Sequence, residues 1–283
     1  MSALPTNRER KDLIYDVSDH PRELTGDDLA FLAKYTGKDP QALKPHVISV
    51  WKATKDQCWA FKCVQEFLFL TPRICLHPHY QAVCAASQNA SPNNKLLHMD
   101  VGCCYGQDTR QLIMDGWKHG QLLAADLVPN YWNLGKTLFM DEDHLQVPFL
   151  AGSMTDDAFV SQSSPSGTTT EHLLGRIDFI WAGLVLHVLS KEGCQRFLSN
   201  ACSLLKPDGS FYGMCAGQKE AGESVATPDG KARRFLHSTE SLREAMLHAG
   251  FSEADVWVND STQDHDKDLK RAGLLIMVFT AIK

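Results

Sequence analysis

The fold is decided by the stretch His98-Met-Asp-Val-Gly-Cys-Cys-Tyr-Gly-Gln-Asp108. An apolar run ends at Asp100-Val101, a turn with two glycines follows, and a helical pattern begins near Gly106. In an open sheet of parallel strands, such a turn lies at the carboxyl end of a strand, where these sheets bind their ligands. Gly102 and Gly106 lack a Cβ atom, so the backbone there can approach a ligand closely. We therefore expect Asp100, Gly102 and Gly106 to contact a ligand.

The glycine spacing distinguishes between two kinds of nucleotide site. Cys104 stands where the dinucleotide fingerprint G-x-G-x-x-G has its second glycine, and Gln107 stands where it has its third. Bulkier residues at these positions disfavour a pyrophosphate at the helix N-terminus, but they leave room for an adenosine with an amino-acid tail. On this motif alone, a strand–turn–helix corner without any ligand remains an open alternative.

From position 95 onward, apolar runs alternate with helical patterns. The runs lie at 96–101, 121–126, 148–152, 177–183, 210–216, 254–259 and 274–282, and the helical patterns near 107–116, 130–140, 154–160 and 190–205. This alternation predicts an α/β fold with a mostly parallel, seven-stranded sheet and helices on both faces. The last two runs are close enough to form a hairpin with one antiparallel strand. The polar stretches 161–170 and 217–230 are predicted loops, and the length of the second suits a lid.

The first 90 residues hold helical patterns and no alternating strand pattern, which predicts a helical cap at 1–90 and a core at 91–283. Thr25 and Gly37 have the residue types of an N-cap and a C-terminal glycine around a first helix. A second helix is expected to begin near Pro45. The apolar segment 59–70 predicts a buried third helix, and the polar tract 87–94 marks the domain boundary.

Composition narrows the range of partners. The 283 residues include 28 Lys and Arg against 34 Asp and Glu, which gives a net charge of −6 and argues against nucleic-acid binding by phosphate neutralisation. The longest apolar runs are too short to span a membrane. Nine cysteines without framework spacing read as reduced thiols, and with a charged N-terminus that lacks a signal sequence they favour a cytoplasmic location. No residue spacing predicts a metal site.

Further candidate site residues follow the later strands. Asp126 ends the second run, 20 residues after Gly106, a spacing at which a carboxylate accepts hydrogen bonds from the ribose hydroxyls of an adenosine. The alternative is an ordinary exposed aspartate. Ser153 follows the third run and is a candidate partner for an adenine ring. Trp181 begins the apolar end of the fourth run, which is expected to line the pocket, and His187 follows it as a candidate base or acceptor-orienting donor.

These features together resemble the class I S-adenosylmethionine-dependent methyltransferases. The matching motifs are Asp-x-Gly-x-x-x-Gly after the first strand, an acid after the second, Gly-Ser after the third, and Leu204-Leu-Lys-Pro-Asp-Gly209 before the fifth. A narrower resemblance rests on LTGDDLAFLAKYTG at 24–37 and DVGCCYGQD at 100–108. These segments are similar to fungal small-molecule methyltransferases of meroterpenoid and polyketide pathways, including the carboxyl methyltransferases of the austinol and terretonin pathways. Cys104 departs from the wider class and agrees with this narrower group.

The resemblance implies a Rossmann-like core with an N-terminal helical cap, S-adenosylmethionine as cofactor, a small-molecule substrate and a homodimer. It places Asp126-Leu127 and Ser153-Met154 beside the ribose and adenine of the cofactor. The implied product is the methyl ester of a small apolar polyketide–terpenoid acid.

The implied reaction is an in-line displacement, in which an acceptor oxygen bonds to the methyl carbon and the C–S bond breaks with its electron pair on sulfur. A carboxylate is already ionised, and Arg233 or Arg234 is a candidate to grip it. A phenol, with a pKa of about 10, needs a base such as His187. A phenol or enol acceptor, an oxidoreductase on the same sheet and a non-catalytic cofactor-binding module remain alternatives. Two further alternatives are that Arg233 and Arg234 are solvated on the surface and that His187 has a purely structural role.

Overall fold

The computed structural model describes residues 21–58, 61–90, 96–157, 159, 173–225, 233–259 and 273–283. The predicted loop at 161–170 lies outside these residues, as does the part of the predicted loop 217–230 that follows Val225.

A seven-stranded sheet forms the centre of the protein. The strands of the described residues are β1 (His98–Val101), β2 (Leu122–Asp126), β3 (Phe149–Ala151), β4 (Ile177–Gly183), β5 (Leu205–Gly217), β6 (Gly222–Val225), β7 (Arg233–Leu236), β8 (Glu253–Val258) and β9 (Leu275–Ile282). The sheet has the order β3-β2-β1-β4-β5-β9-β8, and β9 runs in the direction opposite to that of the other six strands. The sequence-based prediction of a mostly parallel sheet with one antiparallel strand is therefore confirmed.

The α-helices of the described residues are α1 (Gly26–Thr36), α2 (Pro40–Gln57), α3 (Lys62–Gln65), α4 (Tyr80–Asn89), α5 (Gln107–Met114), α6 (Pro129–Phe139), α7 (Lys191–Leu204) and α8 (Thr239–His248). Side chains from α7 and α8, such as Phe197 and Met246, form the core on one face of the sheet. Side chains from α4, α5 and α6, such as Val83, Leu112 and Trp132, fill the other face. The predicted helices on both faces are present.

The N-terminal helices form a third apolar cluster with α6, in which Leu29 and Val47 pack with Leu138. The Thr25 side chain caps α1 as predicted, and Gly37 ends the helix with a φ of 67°. Two predictions in this region were wrong. The second helix begins at Pro40 rather than Pro45, because the Asp39 side chain accepts the backbone N–H groups of Gln41 and Ala42.

The predicted helix at 59–70 is also broken in the structure. Phe67, with a φ of 57°, separates the four-residue helix α3 from a 3-10 helix at Leu68–Leu70. Phe67 itself is buried against Trp51 and Phe69, which accounts for the apolar pattern that suggested a continuous helix.

An unpredicted hairpin begins within the second predicted loop and ends after it. Strands β6 and β7 pair antiparallel, with Ser224 opposite Arg234 and Val225 opposite Arg233. Within the part of the chain that the structure describes, no helix combines the length and the apolar character needed to cross a membrane.

Gly135 lets α6 pack closely on the turn after β1. A Cβ atom at this position would lie 2.2 Å from the backbone oxygen of Tyr105, and backbone cannot move aside as a side chain can. We expect Gly135→Ala to lower the free energy of unfolding by about 1–3 kcal/mol, the usual cost of overpacking, in urea denaturation followed by circular dichroism. Gly120→Ala is the control, because a Cβ atom there meets nothing within 4 Å. Equal stability of the two variants would contradict this packing argument.

Candidate functional site

The turn after β1 is held against the end of β2. The backbone N–H groups of Gly102 and Cys103 both donate to the carbonyl oxygen of Ala125, at 2.8 and 3.1 Å. Gly102 has a φ of 70°, and a Cβ atom there would lie 2.3 Å from a methyl carbon of Val185. The position therefore requires glycine both for its backbone conformation and for the close approach of the chain after β4.

Gly106 needs to be glycine for a different reason from the one predicted. Its φ is 75°, and a Cβ atom would meet the Trp132 ring at 2.5 Å and the Arg110 guanidinium at 2.7 Å. The space beside Gly106 is thus filled by protein side chains, and a ligand is not needed to explain this glycine.

Asp126 joins the two strand ends. One of its carboxylate oxygens accepts the backbone N–H of Cys104 and the other accepts that of Val128, both at 2.9 Å. Burial raises the pKa of Asp126, although these backbone donors act in the opposite direction. Since a carboxylate oxygen can accept more than one hydrogen bond, each oxygen can still take a hydroxyl donor. The two oxygens are therefore candidates to accept the two hydroxyls of a ribose.

The predicted adenine neighbours lie in different surroundings. Leu127 is 52% exposed directly after Asp126, so its side chain is available to a ligand. The Ser153 hydroxyl lies 2.8 Å from that of Thr155 and accepts the Thr155 backbone N–H. Met154 differs from the expectation, because its side chain is buried in the core that contains α7. Its backbone carbonyl accepts a hydrogen bond from Asn200.

Asp100 and Trp181, both predicted ligand contacts, are enclosed by protein. The Asp100 carboxylate accepts the Thr109 hydroxyl at 2.7 Å, and burial together with the nearby Asp108 carboxylate raises the pKa of Asp100. Trp181 is 0% exposed, and its indole N–H donates to Asp108 at 3.0 Å. Both side chains therefore brace the strand ends rather than line the surface of a pocket.

Asp108 is a central residue to which no sequence motif assigned a role. Besides the Trp181 indole, its carboxylate accepts the backbone N–H groups of Arg73 and Ile74, at 2.7 and 2.9 Å. These partners are 34 to 73 positions away along the chain. Only their arrangement in the fold shows that this aspartate connects the N-terminal region, α5 and β4.

The residues predicted to contact the methyl acceptor are His187, which follows β4, and Arg233 and Arg234, which lie in β7. The Nδ1 atom of His187 is buried and has no hydrogen-bond partner. Burial and the positive charges of Arg234 and Arg73 lower the pKa of His187 to about 4, so the ring is neutral at neutral pH. His187 lies in the 3-10 helix Leu186–Val188, which contacts the strand β7 that carries Arg234. Arg233, in contrast, is 61% exposed and forms an ion pair with Glu223 at 2.8 Å.

Comparisons with known proteins identify relatives of this chain. No family model matches the sequence. The O-methyltransferase atr3 of Stereocaulon alpinum is 28% identical over 187 residues, which cover 66% of this chain and 50% of atr3. The O-methyltransferase phiE of a fungal species is 25% identical over 93% of this chain and 83% of its own length. The methyltransferase ausD of Penicillium brasilianum is 29% identical over 60% of this chain and 57% of its own length. The chain therefore matches only about half the length of atr3 and of ausD.

Solved structures show the same fold. The CurJ carbon methyltransferase aligns with 90% of this chain and 67% of its own length, with a TM-score of 0.52 and 15% identity. Phosphoethanolamine N-methyltransferase 2 of Haemonchus contortus, in complex with S-adenosyl-L-methionine, aligns with 93% of this chain and 60% of its own length, with a TM-score of 0.50 and 13% identity. The chain is thus a relative of fungal O-methyltransferases with the Rossmann-like fold of the S-adenosylmethionine-dependent methyltransferases, and the resemblance predicted from its sequence is confirmed.

Proposed function

We propose that this chain is an S-adenosylmethionine-dependent O-methyltransferase. Its acceptor in this proposal is the carboxylate of a small apolar polyketide–terpenoid acid, and its product is the methyl ester. The observation that carries the proposal is the geometry of Asp126, whose two carboxylate oxygens each accept one backbone N–H and can each take a hydroxyl. The relation to the O-methyltransferases atr3 and phiE supports methyl transfer to oxygen.

In this proposal the chain's residues hold and orient the two reactants. Asp126 binds the ribose, the backbone at Gly102 lies against the amino-acid tail, and Leu127 and Ser153 flank the adenine. S-adenosylmethionine, when bound, supplies a methyl group on a positively charged sulfur. Charge is lost as the methyl group moves, so the chain accelerates the reaction mainly by positioning the reactants and excluding water.

Three further expectations stay predictions. They are the division into a cap at 1–90 and a core at 91–283, the homodimer and the cytoplasmic location. For the division into cap and core, the relevant observation is that α1 and α2 pack on α6. The proposed cap and core therefore share an apolar cluster.

The Asp126 side chain provides the test of the cofactor site. We expect Asp126→Ala to weaken S-adenosylmethionine binding by about 10- to 100-fold in calorimetric titration, because hydrogen bonds to a charged group contribute about 1.5–3 kcal/mol. Asp126→Asn is a second variant that keeps the shape of the side chain.

The control for this titration is Asp178→Ala. Asp178 lies near the amino end of β4, whereas Asp126 lies at the carboxyl end of β2. Asp178 forms an ion pair with Lys206 at 2.7 Å. Thermal melts of all variants report whether they are folded. Unchanged affinity in both folded Asp126 variants would remove this residue from the cofactor site and the proposal would lose its main support.

The chemical bond in the product tests the acceptor. The chain is incubated with S-adenosylmethionine carrying a radiolabelled methyl group and with a panel of alkylated hydroxybenzoic acids, their carboxamides and the corresponding phenols. We expect label to enter the acids only and to be released as methanol by mild alkali, because alkali hydrolyses a methyl ester and leaves a methyl ether intact.

Two results would contradict the proposal in different ways. Alkali-stable label in the phenols would show a phenol O-methyltransferase instead. Cofactor binding without label in any acceptor would favour a non-catalytic cofactor-binding module.

A further inference from the structure

The β6–β7 hairpin presents its two arginines to opposite sides. Successive side chains of a strand point to opposite faces, so Arg233 shares one face with Phe235 and Arg234 shares the other with Leu236. Leu236 is buried, whereas Arg233 is largely exposed. The face of β7 that carries Arg234 is therefore the inner one.

The same strand is fixed to the segment after β4. The backbone N–H of Phe235 donates to the carbonyl oxygen of Leu189 at 2.8 Å, and β7 contacts the 3-10 helix Leu186–Val188 that carries His187. This attachment fixes the positions of the Arg234 and His187 backbones relative to each other. The positive charge of Arg234 acts on the His187 imidazole and lowers its pKa.

Both side chains have buried nitrogen atoms without partners. The Nε atom of Arg234 and the Nδ1 atom of His187 are enclosed, and neither has a hydrogen-bond partner in the structure. Among the described residues, no ion pair is formed by Arg234, although its neighbour Arg233 pairs with Glu223. A buried polar atom without a partner is costly. The Arg234 Nε–H is a donor, and His187 Nδ1 is a donor in one of the two neutral tautomers, so an acceptor atom of a ligand can satisfy both.

We propose that Arg234 and His187 together bind the anionic oxygen atoms of the methyl acceptor, and that Arg233 has no part in this. The inference rests on the proposed function and makes it more specific. The Arg234 guanidinium donates to the anion, and the neutral imidazole donates one further hydrogen bond through the nitrogen that bears its proton. An ionised acceptor loses no proton when the O–CH3 bond forms, so no base is required.

The charge of the site favours a carboxylate over a phenol. A histidine that releases its proton at a pH of about 4 is a weak base, and a phenol with a pKa of about 10 would give up its proton to it only rarely. A carboxylate arrives already ionised, and a guanidinium binds it with charge-assisted hydrogen bonds. Arg234 and His187 therefore supply the binding, and the ionised state of the carboxylate makes a base unnecessary.

The first test uses benzoate as the probe and the full chain with S-adenosylhomocysteine. The pKa of His187 is followed by NMR of 13C-labelled histidine, with the signal assigned through His187→Gln. We expect benzoate to raise the His187 pKa in the wild type, because a nearby negative charge stabilises the imidazolium. Arg234→Gln should raise this pKa without benzoate and abolish the response to it.

A variant of the neighbouring Arg233 tests whether only the inner face of the hairpin takes part. Arg233→Gln should leave the response to benzoate in place, as should Arg243→Gln, which changes an exposed arginine of α8. Arg234→Lys keeps the positive charge and should retain part of the response, which separates loss of charge from loss of fold. The absence of a benzoate effect on His187 in the wild type, or equal effects of the Arg233 and Arg234 variants, would overturn the proposal.

The second test is kinetic and separates this inference from the proposed function. With a methylated acid as product, Arg234→Gln should raise the acceptor KM by about 10-fold or more, the cost of a charge-assisted hydrogen bond, and leave cofactor affinity unchanged. An unchanged acceptor KM would overturn the role of Arg234 while methyl transfer itself stands. If the wild type binds benzoate as expected but transfers no methyl group, the proposed function fails and the anion site remains.

Discussion

The carboxylate of Asp108 connects the segments at the carboxyl ends of the central strands, where the candidate site lies. It accepts the backbone N–H groups of Arg73 and Ile74 and the indole N–H of Trp181, so it joins the N-terminal region, α5 and β4 at one point. Because the group is buried, loss of the carboxylate would leave three enclosed donors without an acceptor, at about 1–3 kcal/mol each. The same contacts fix Arg73, whose charge acts on His187. The segment that precedes the core in the sequence is therefore part of the site's framework.

A second buried contact anchors the N-terminal helices at the opposite side of the turn. Arg110 of α5 forms two hydrogen bonds with Asp141, at 2.7 and 2.8 Å, and the Tyr35 hydroxyl of α1 donates to the same carboxylate at 2.8 Å. Arg110 also donates to the backbone carbonyl of Tyr105, within the turn itself. Removal of one partner of such a buried pair typically costs about 3–5 kcal/mol, because a charge remains enclosed without compensation. The turn that places the Cys104 N–H beside Asp126 is thus stabilised by α5 through Arg110. The helix α1 stabilises it indirectly, because Tyr35 binds the same Asp141 carboxylate as Arg110.

The sequence was informative where a structural decision is local. The apolar run at 177–183 coincides with β4, and the cap residues Thr25 and Gly37 bound α1, because such runs and caps depend on neighbouring residues. The sequence was misleading where the local conformation depends on contacts with residues far away in the chain. Phe67 interrupts an apolar helix pattern in order to pack on Trp51, and α8 and the β6–β7 hairpin had no pattern strong enough to predict. Trp181 and Gly106 were assigned to a ligand because the sequence cannot show that Asp108 and Trp132 already occupy their surroundings.

The side chains assigned to the two reactants lie at the ends of different strands. Asp126 ends β2, whereas the charges of Arg234 and Arg73 act on His187, beyond the end of β4. Under the proposed function, the cationic cofactor meets the acidic side and the anionic acceptor meets the basic side. Methyl transfer from a sulfonium to a carboxylate cancels both charges, so contacts that hold the charged reactants too strongly would raise the barrier. In this proposal Arg234 contacts the anion while the charge of Arg73 also acts on His187, and the neutral imidazole orients the anion without adding a third positive charge.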